Sequence, residues 1–84
     1  DVAKLHFAAL LLDERSYDEA VKWLESERAA SFDGLYADLK GDVLSAQGKI
    51  EAARSAYNIA YEKVGVSSAY RGLIEIKIDS LGEP

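Results

Sequence analysis

The chain has no cysteine, no methionine, one proline and one histidine in 84 residues. Without cysteine there is no disulfide, thiolate nucleophile, zinc-thiolate site or iron-sulfur cluster, so packing alone must hold the fold. His6 is the lone imidazole, and by itself it assembles no nitrogen-rich or sulfur-rich metal site. Basic surplus is lacking too. Ten Lys and Arg face fifteen Asp and Glu, and the net charge of -5 opposes a phosphate backbone or an anionic leaflet. No apolar run approaches the roughly 18 residues of a membrane span. No serine sits in a glycine-flanked elbow, and no glycine-rich phosphate loop ends in Lys followed by Ser or Thr, so acyl and phosphoryl transfer lose their usual signatures.

What is present is core material. The chain is 49% hydrophobic and 30% charged, a composition that folds as one small domain hiding about 60 to 65% of its unfolded surface. Apolar residues recur every three or four positions: Leu5, Ala8, Leu11 and Leu12; Tyr17, Ala20, Val21 and Leu24; Leu35, Leu39, Val43 and Ala46; Ile50, Ala53, Tyr57, Ala60, Tyr61 and Val64. Each series is the stripe of an amphipathic helix. From about Ser67 to Leu81 the pattern is double, because Ile74, Ile76 and Ile78 alternate like a strand while Tyr70, Leu73, Ile74, Ile78 and Leu81 fit a helix.

Several residues mark the joints. Ser16 with Glu19 three positions on predicts a capping box at a helix start. Gly48, Gly65 and Gly82 follow apolar stripes, where a left-handed residue can close a helix end. Asp18 with Lys22, and Arg71 with Glu75, are opposite charges one turn apart, worth about 0.2 to 0.5 kcal/mol each if they close.

Sliding the chain by 33 residues superposes Ala8 on Gly41, Leu11 on Leu44, Tyr17 on Ile50, Ala20 on Ala53 and Leu24 on Tyr57. A small residue in a first helix, a turn, then a small and a large residue in a second helix resembles the tetratricopeptide repeat. Arg15, Ser16, Tyr17, Asp18, Glu19, Ala20 and Val21 are nearly that family's turn and second-helix start, and Gly48, Lys49, Ile50, Glu51, Ala52, Ala53 and Arg54 repeat it. Lys4 and Ala37 depart from the bulky aromatic usual in first helices, Glu27 from a small residue, and Gly65 from a closing proline. The physical reason for the spacing is that Ala8 and Gly41 permit close approach within a hairpin, and Ala20 and Ala53 permit it at helix crossings. The resemblance predicts an all-α right-handed solenoid: repeat one over about 1–33, repeat two over about 34–66, and a capping helix over about 67–81 that shields Tyr57, Ala60 and Tyr61. Repeat phase thus reads the ambiguous segment as helix, with Ile76 off its main stripe.

A narrower resemblance rests on Leu35, Tyr36, Ala37, Asp38, Leu39, Lys40, Gly41, Asp42, Val43 and Leu44, then Gly48, then Ala52 to Tyr57, and a closing Ile76, Lys77, Ile78, Asp79. These are similar to the YfgM-type family of ancillary SecYEG translocon subunits. That resemblance implies one amino-terminal transmembrane helix, repeats on the periplasmic face of the bacterial inner membrane, and a place beside a membrane-anchored prolyl-isomerase-like chaperone at the channel exit. The chain, which opens without methionine and is already in a helical pattern by Val2, would then be the carboxy-terminal repeats of a longer protein, touching membrane only through an anchor upstream.

Function is expected to be protein–protein interaction, with no enzyme activity, no cofactor and no nucleic-acid partner. Tyr17, Tyr57 and Tyr61 hold core phases, leaving Trp23 and Tyr36 as candidate exposed contact residues. First helices of the repeat family line a concave surface, and the phase places Val2, Leu5, Ala9, Leu12, Leu35, Asp38, Asp42, Ser45, Arg71 and Ile78 on it. Asp38 and Asp42, one turn apart, read as a solvated pair giving the trough an acidic character. Leu5 and Ala9 stand where a carboxylate-clamping repeat receptor would carry Lys and Asn, which argues against an acidic-tail ligand. The alternative is a generic tetratricopeptide scaffold, either for self-association through the trough or Ile76 or for another peptide or protein partner.

Overall fold

The computed structural model describes residues 2–26, 32–65 and 68–82. Five helices follow one another: α1 (Val2–Asp13), α2 (Tyr17–Leu24), α3 (Asp33–Ala46), α4 (Ile50–Lys63) and α5 (Ala69–Ser80). No strand occurs among the described residues, and the segment with alternating isoleucines is helix. Ile74 is fully buried and Ile76 is 65% exposed, so the periodicity of three to four wins over the alternation.

Two apolar clusters repeat the same scheme. Ala8, Leu11, Ala20 and Leu24 of the first hairpin enclose Tyr36 and Val43 of α3. Leu44, Ala53, Ala56, Tyr57 and Ala60 of the second hairpin enclose Ile74 of α5. Leu11 with Leu44, Ala20 with Ala53, and Leu24 with Tyr57 are the pairs that the 33-residue shift superposes, so one packing geometry is laid down twice. The small residues are sterically required. A Cβ built on Gly41 would meet the Tyr57 ring at 2.4 to 2.9 Å, which fixes how closely α3 and α4 approach.

The turns depart from expectation in instructive ways. Helix α1 closes with Arg15 in the left-handed region at φ 63, its N–H donating to Leu12 O at 3.0 Å and that of Ser16 to Leu11 O at 2.8 Å. Helix α3 closes identically on Gly48 at φ 79, with bonds from Gly48 to Ser45 and from Lys49 to Leu44. Arg15 therefore occupies the repeat position of Gly48. Arg15→Gly is expected to stabilise the chain by about 1 kcal/mol, and Gly48→Arg to cost about as much, because an L side chain is strained there. Thermal unfolding of the two variants checks both signs.

The capping box at Ser16 does not form. Ser16 follows the left-handed residue with ψ 65 rather than an extended value, and its side chain makes no cap hydrogen bond. Its own N–H is already engaged in closing α1, so the Glu19 carboxylate has no orphan donor to satisfy. The side-chain cap lies instead at Ser68, whose Oγ accepts from the Tyr70 N–H at 3.2 Å with Ser68 in extended conformation. Gly65 is not left-handed, since the chain leaves α4 through Val64 at ψ 149 and needs no reversal there. Gly82 is, at φ 81. Neither intrahelical charge pair closes: Asp18 accepts from Gln47 of the next hairpin at 3.2 Å, and Glu75 from the Tyr61 hydroxyl at 3.4 Å. Contacts between helices outcompete the solvated pairs. Glu27, Val66 and Ser67 lie outside the described residues.

Candidate docking cleft

Helices α1, α3 and α5 present their open faces on one side of the molecule. Apolar side chains Val2, Leu5 and Ala9 from α1 and Leu35 and Leu39 from α3 line a cleft of about 320 Å³ there. Asp38 contributes to its floor, and His6, Phe32 and Tyr70 complete the rim. Five of the concave residues named from repeat phase, Val2, Leu5, Ala9, Leu35 and Asp38, therefore meet in this cleft. The other five do not line it. Leu12 packs on the first core cluster and Ile78 on the second. Arg71 lies with its guanidinium carbon 4.2 Å from the centroid of the Tyr61 ring, drawn there by the electron-rich face. Asp42 turns to α4 and α5, and Ser45 lies a turn further along α3, half-buried.

The acidic pair is not a solvated face. Asp38 is only 7% exposed, and Lys77 of α5 reaches across to it, with Nζ 3.0 Å from Oδ1 and 3.2 Å from Oδ2. The same ammonium lies 3.2 Å from Asp42 Oδ1, which also accepts from the Tyr57 hydroxyl at 2.6 Å. Two carboxylates thus share one ammonium and one phenol, joining α3, α4 and α5. In the trough expected as mixed apolar and acidic, the cleft is apolar and the acids belong to a largely compensated charge cluster, with one negative charge in excess. Sequence reasoning named the acids and missed their cation. The signal was there: Lys77 stands 33 residues after Leu44 and 66 after Leu11, at a position that is core in both preceding first helices. A lysine in a core register calls for a buried counter-charge.

Burial pushes the Asp38 carboxyl above its usual range, against the pull of Lys77. Desolvation draws Lys77 down, but the hydrogen bond to Asp38 and the charge of Asp42 outweigh it and raise the ammonium. Asp38 is the deeper partner, so it bears the larger desolvation cost of the pair. Tyr57 is raised as well, by burial first and then by its bond to Asp42. The signs give a pH dependence. Lys77 and Tyr57 hold their protons in the folded state after the unfolded chain has released them, so their stabilisation is complete below about pH 10 and falls as pH rises further. Asp38, with a raised value, favours the folded state below pH 3.8 and loses that contribution as pH rises through its folded value, so it does not drive acid unfolding. Tm is expected to decline steeply above pH 10, and Tyr57→Phe to flatten part of that decline; calorimetry from pH 6 to 11 reads both.

Tyr36, expected as an exposed contact, is 1% exposed because the start of α3 tucks its ring between the hairpins. Trp23 is 37% exposed and meets Phe7 edge-on, with ring centroids 5.1 Å apart. A second and larger groove, about 760 Å³, runs between α2 and α4 on the opposite side of α3. Its floor includes Tyr36, Ala37 and Ala56, and Lys40, Lys49 and Ile59 stand on its walls. Among the described residues no three His, Cys, Asp or Glu side chains converge as metal ligands.

Paired helices in register, and a cleft made by the first helix of each pair, define a helical-repeat scaffold. The chain belongs to the tetratricopeptide repeat-like domain family, whose model matches residues 1–83. It is also similar to a protein of Neisseria gonorrhoeae (strain ATCC 700825 / FA 1090) named ancillary SecYEG translocon subunit, at 36% identity over 80 residues. That match covers 95% of this chain and 38% of the relative, so the chain spans well under half of the relative's length. No solved structure matches.

Proposed function

We propose that the chain is a non-enzymatic docking module, the periplasmic part of an inner-membrane-anchored subunit that works beside the SecYEG translocon and its chaperones. The observation that carries this reading is the match to an ancillary translocon subunit along 95% of the chain. The cleft supports it: an apolar surface between first helices binds side chains of another protein without chemistry, and among the described residues nothing around His6 or Asp38 pairs a nucleophile with a base. The partner-binding face is that of α1, α3 and α5, with Val2, Leu5, Ala9 and Leu35 as apolar contacts. Leu12, Asp42, Ser45, Arg71 and Ile78 act behind or beside them as support. Among the described residues no helix is long and apolar enough to cross a membrane, so anchorage in this reading rests on a segment outside them.

Affinity purification of the full-length protein from detergent-solubilised inner membranes tests the assignment. Translocon subunits and a membrane-anchored chaperone are expected to co-purify. Recovery of cytosolic proteins alone overturns it.

A further inference from the structure

We propose that the groove between α2 and α4 receives helix α5 of a second copy of this chain. The contact is independent of the translocon assignment, and its groove half lies across α3 from the cleft. Its first support is charge. In a chain of net charge -5, the groove carries two lysines against one acid, Glu25, which Lys40 holds at 2.9 Å. Lys49, exposed at the groove's other side, has no ion pair among the described residues.

Helix α5 offers the complement. Its two cations are turned inward, Arg71 onto the Tyr61 ring and Lys77 onto Asp38 and Asp42. What remains outside is an apolar stripe of Ala69, Leu73 and Ile76, with Leu73 46% and Ile76 65% exposed, and with the exposed acids Glu75 and Asp79 along one edge. An apolar stripe edged by negative charge fits an apolar floor edged by positive charge. Ile76 holds the repeat position of Val43, which is fully buried against the first hairpin, and of Leu10, which is 59% exposed, so an apolar side chain in this register is covered only where a neighbour packs on it. Three alanines, Ala37, Ala52 and Ala56, stand among the larger lining residues of the groove and leave room for Leu73 and Ile76 to enter. The helix cannot fill its own groove, because Ile74 holds its inner face on the second core cluster and the stripe points away. The contact is therefore heterologous, helix of one copy to groove of the next.

Sedimentation of the 84-residue chain tests this with two variants. Ile76→Glu spoils the helix and leaves the groove; Lys49→Glu with Ala52→Glu spoils the groove and leaves the helix. All three positions are exposed, and circular dichroism monitors the fold; Ile76→Ser serves if the glutamate variant unfolds. The wild-type chain is expected to associate at about 100 µM, as small interfaces do, and to dissociate with added salt. Each variant alone is expected to sediment as one copy, and their equimolar mixture as a dimer, because the mixture restores one intact helix and one intact groove. A wild-type chain that stays monomeric at millimolar concentration overturns the proposal. So does a mixture that remains monomeric, or an Ile76→Glu chain that still self-associates.

Discussion

Lys77→Met is expected to destabilise the chain by about 2 kcal/mol and to free α5 before any other helix. Removing the ammonium leaves Asp38, 7% exposed, and Asp42 facing each other without a cation. Breaking a fully buried pair costs about 3 to 5 kcal/mol, and the lower figure allows for the partial exposure of Lys77 and Asp42. Methionine keeps the hydrocarbon stem, so the loss reads charge rather than packing. Adding Asp38→Asn and Asp42→Asn to Lys77→Met is expected to recover most of the stability, since a core register then holds an apolar side chain as it does at Leu11 and Leu44. Hydrogen exchange supplies the local readout. Amides of residues 69–80 lose protection in the single variant while those of α3 and α4 keep theirs. The bond from Arg54 to the Gly82 carbonyl at 2.7 Å holds the end of the helix and is not enough to replace the cluster.

Gly41→Leu is the second large effect, expected at about 3 kcal/mol, or roughly 12 to 24 °C in Tm for a domain of this size. The Tyr57 ring occupies the space a side chain at 41 needs, and moving that ring also breaks the hydroxyl's bond to Asp42. Gly41→Ala gains about 1 kcal/mol in helix propensity and still loses overall, because its methyl meets the same ring. The first hairpin shows how to relieve the clash. Ala8 and Leu24 hold the positions of Gly41 and Tyr57, so Gly41→Ala with Tyr57→Leu copies a pair the protein already packs. That double variant is expected to be more stable than Gly41→Ala alone, and equal or lower stability counts against the repeat equivalence.

How legible all this was depends on how local the determinants are. Helix positions follow from the spacing of apolar residues along single segments for α1 to α4, whereas α5, whose isoleucines also alternate like a strand, needed the repeat phase. The 33-residue shift extended that reading to packing, because Ala20, Ala53, Leu24 and Tyr57 repeat their environment along with their register. The same shift would have found Arg15 at the turn-glycine position and Lys77 at a core position, had it been applied to the odd residues as well as the regular ones. Other features were not local. Whether Asp38 and Asp42 face water or a cation depends on how α5 lies across α3, a contact between residues 39 apart that no pattern within a helix encodes. The burial of Tyr36 has the same origin, since the first hairpin decides it. Of the five concave residues that do not line the cleft, Arg71 and Ile78 are drawn from it because α5 turns its inner face to α4 and the second core.

Site-specific photo-crosslinking in cells that natively contain the full-length protein tests the central claim most directly, that the α1, α3 and α5 face is where this repeat scaffold grips a translocon-associated partner. A benzophenone amino acid at Tyr70, 47% exposed on the cleft rim, reports that face, and one at Ile59, 50% exposed on the opposite groove, reports the other. Adducts with a translocon subunit or its chaperone are expected from position 70, and from position 59 only adducts between copies of the protein. Translocon adducts from position 59 with none from position 70 contradict the account.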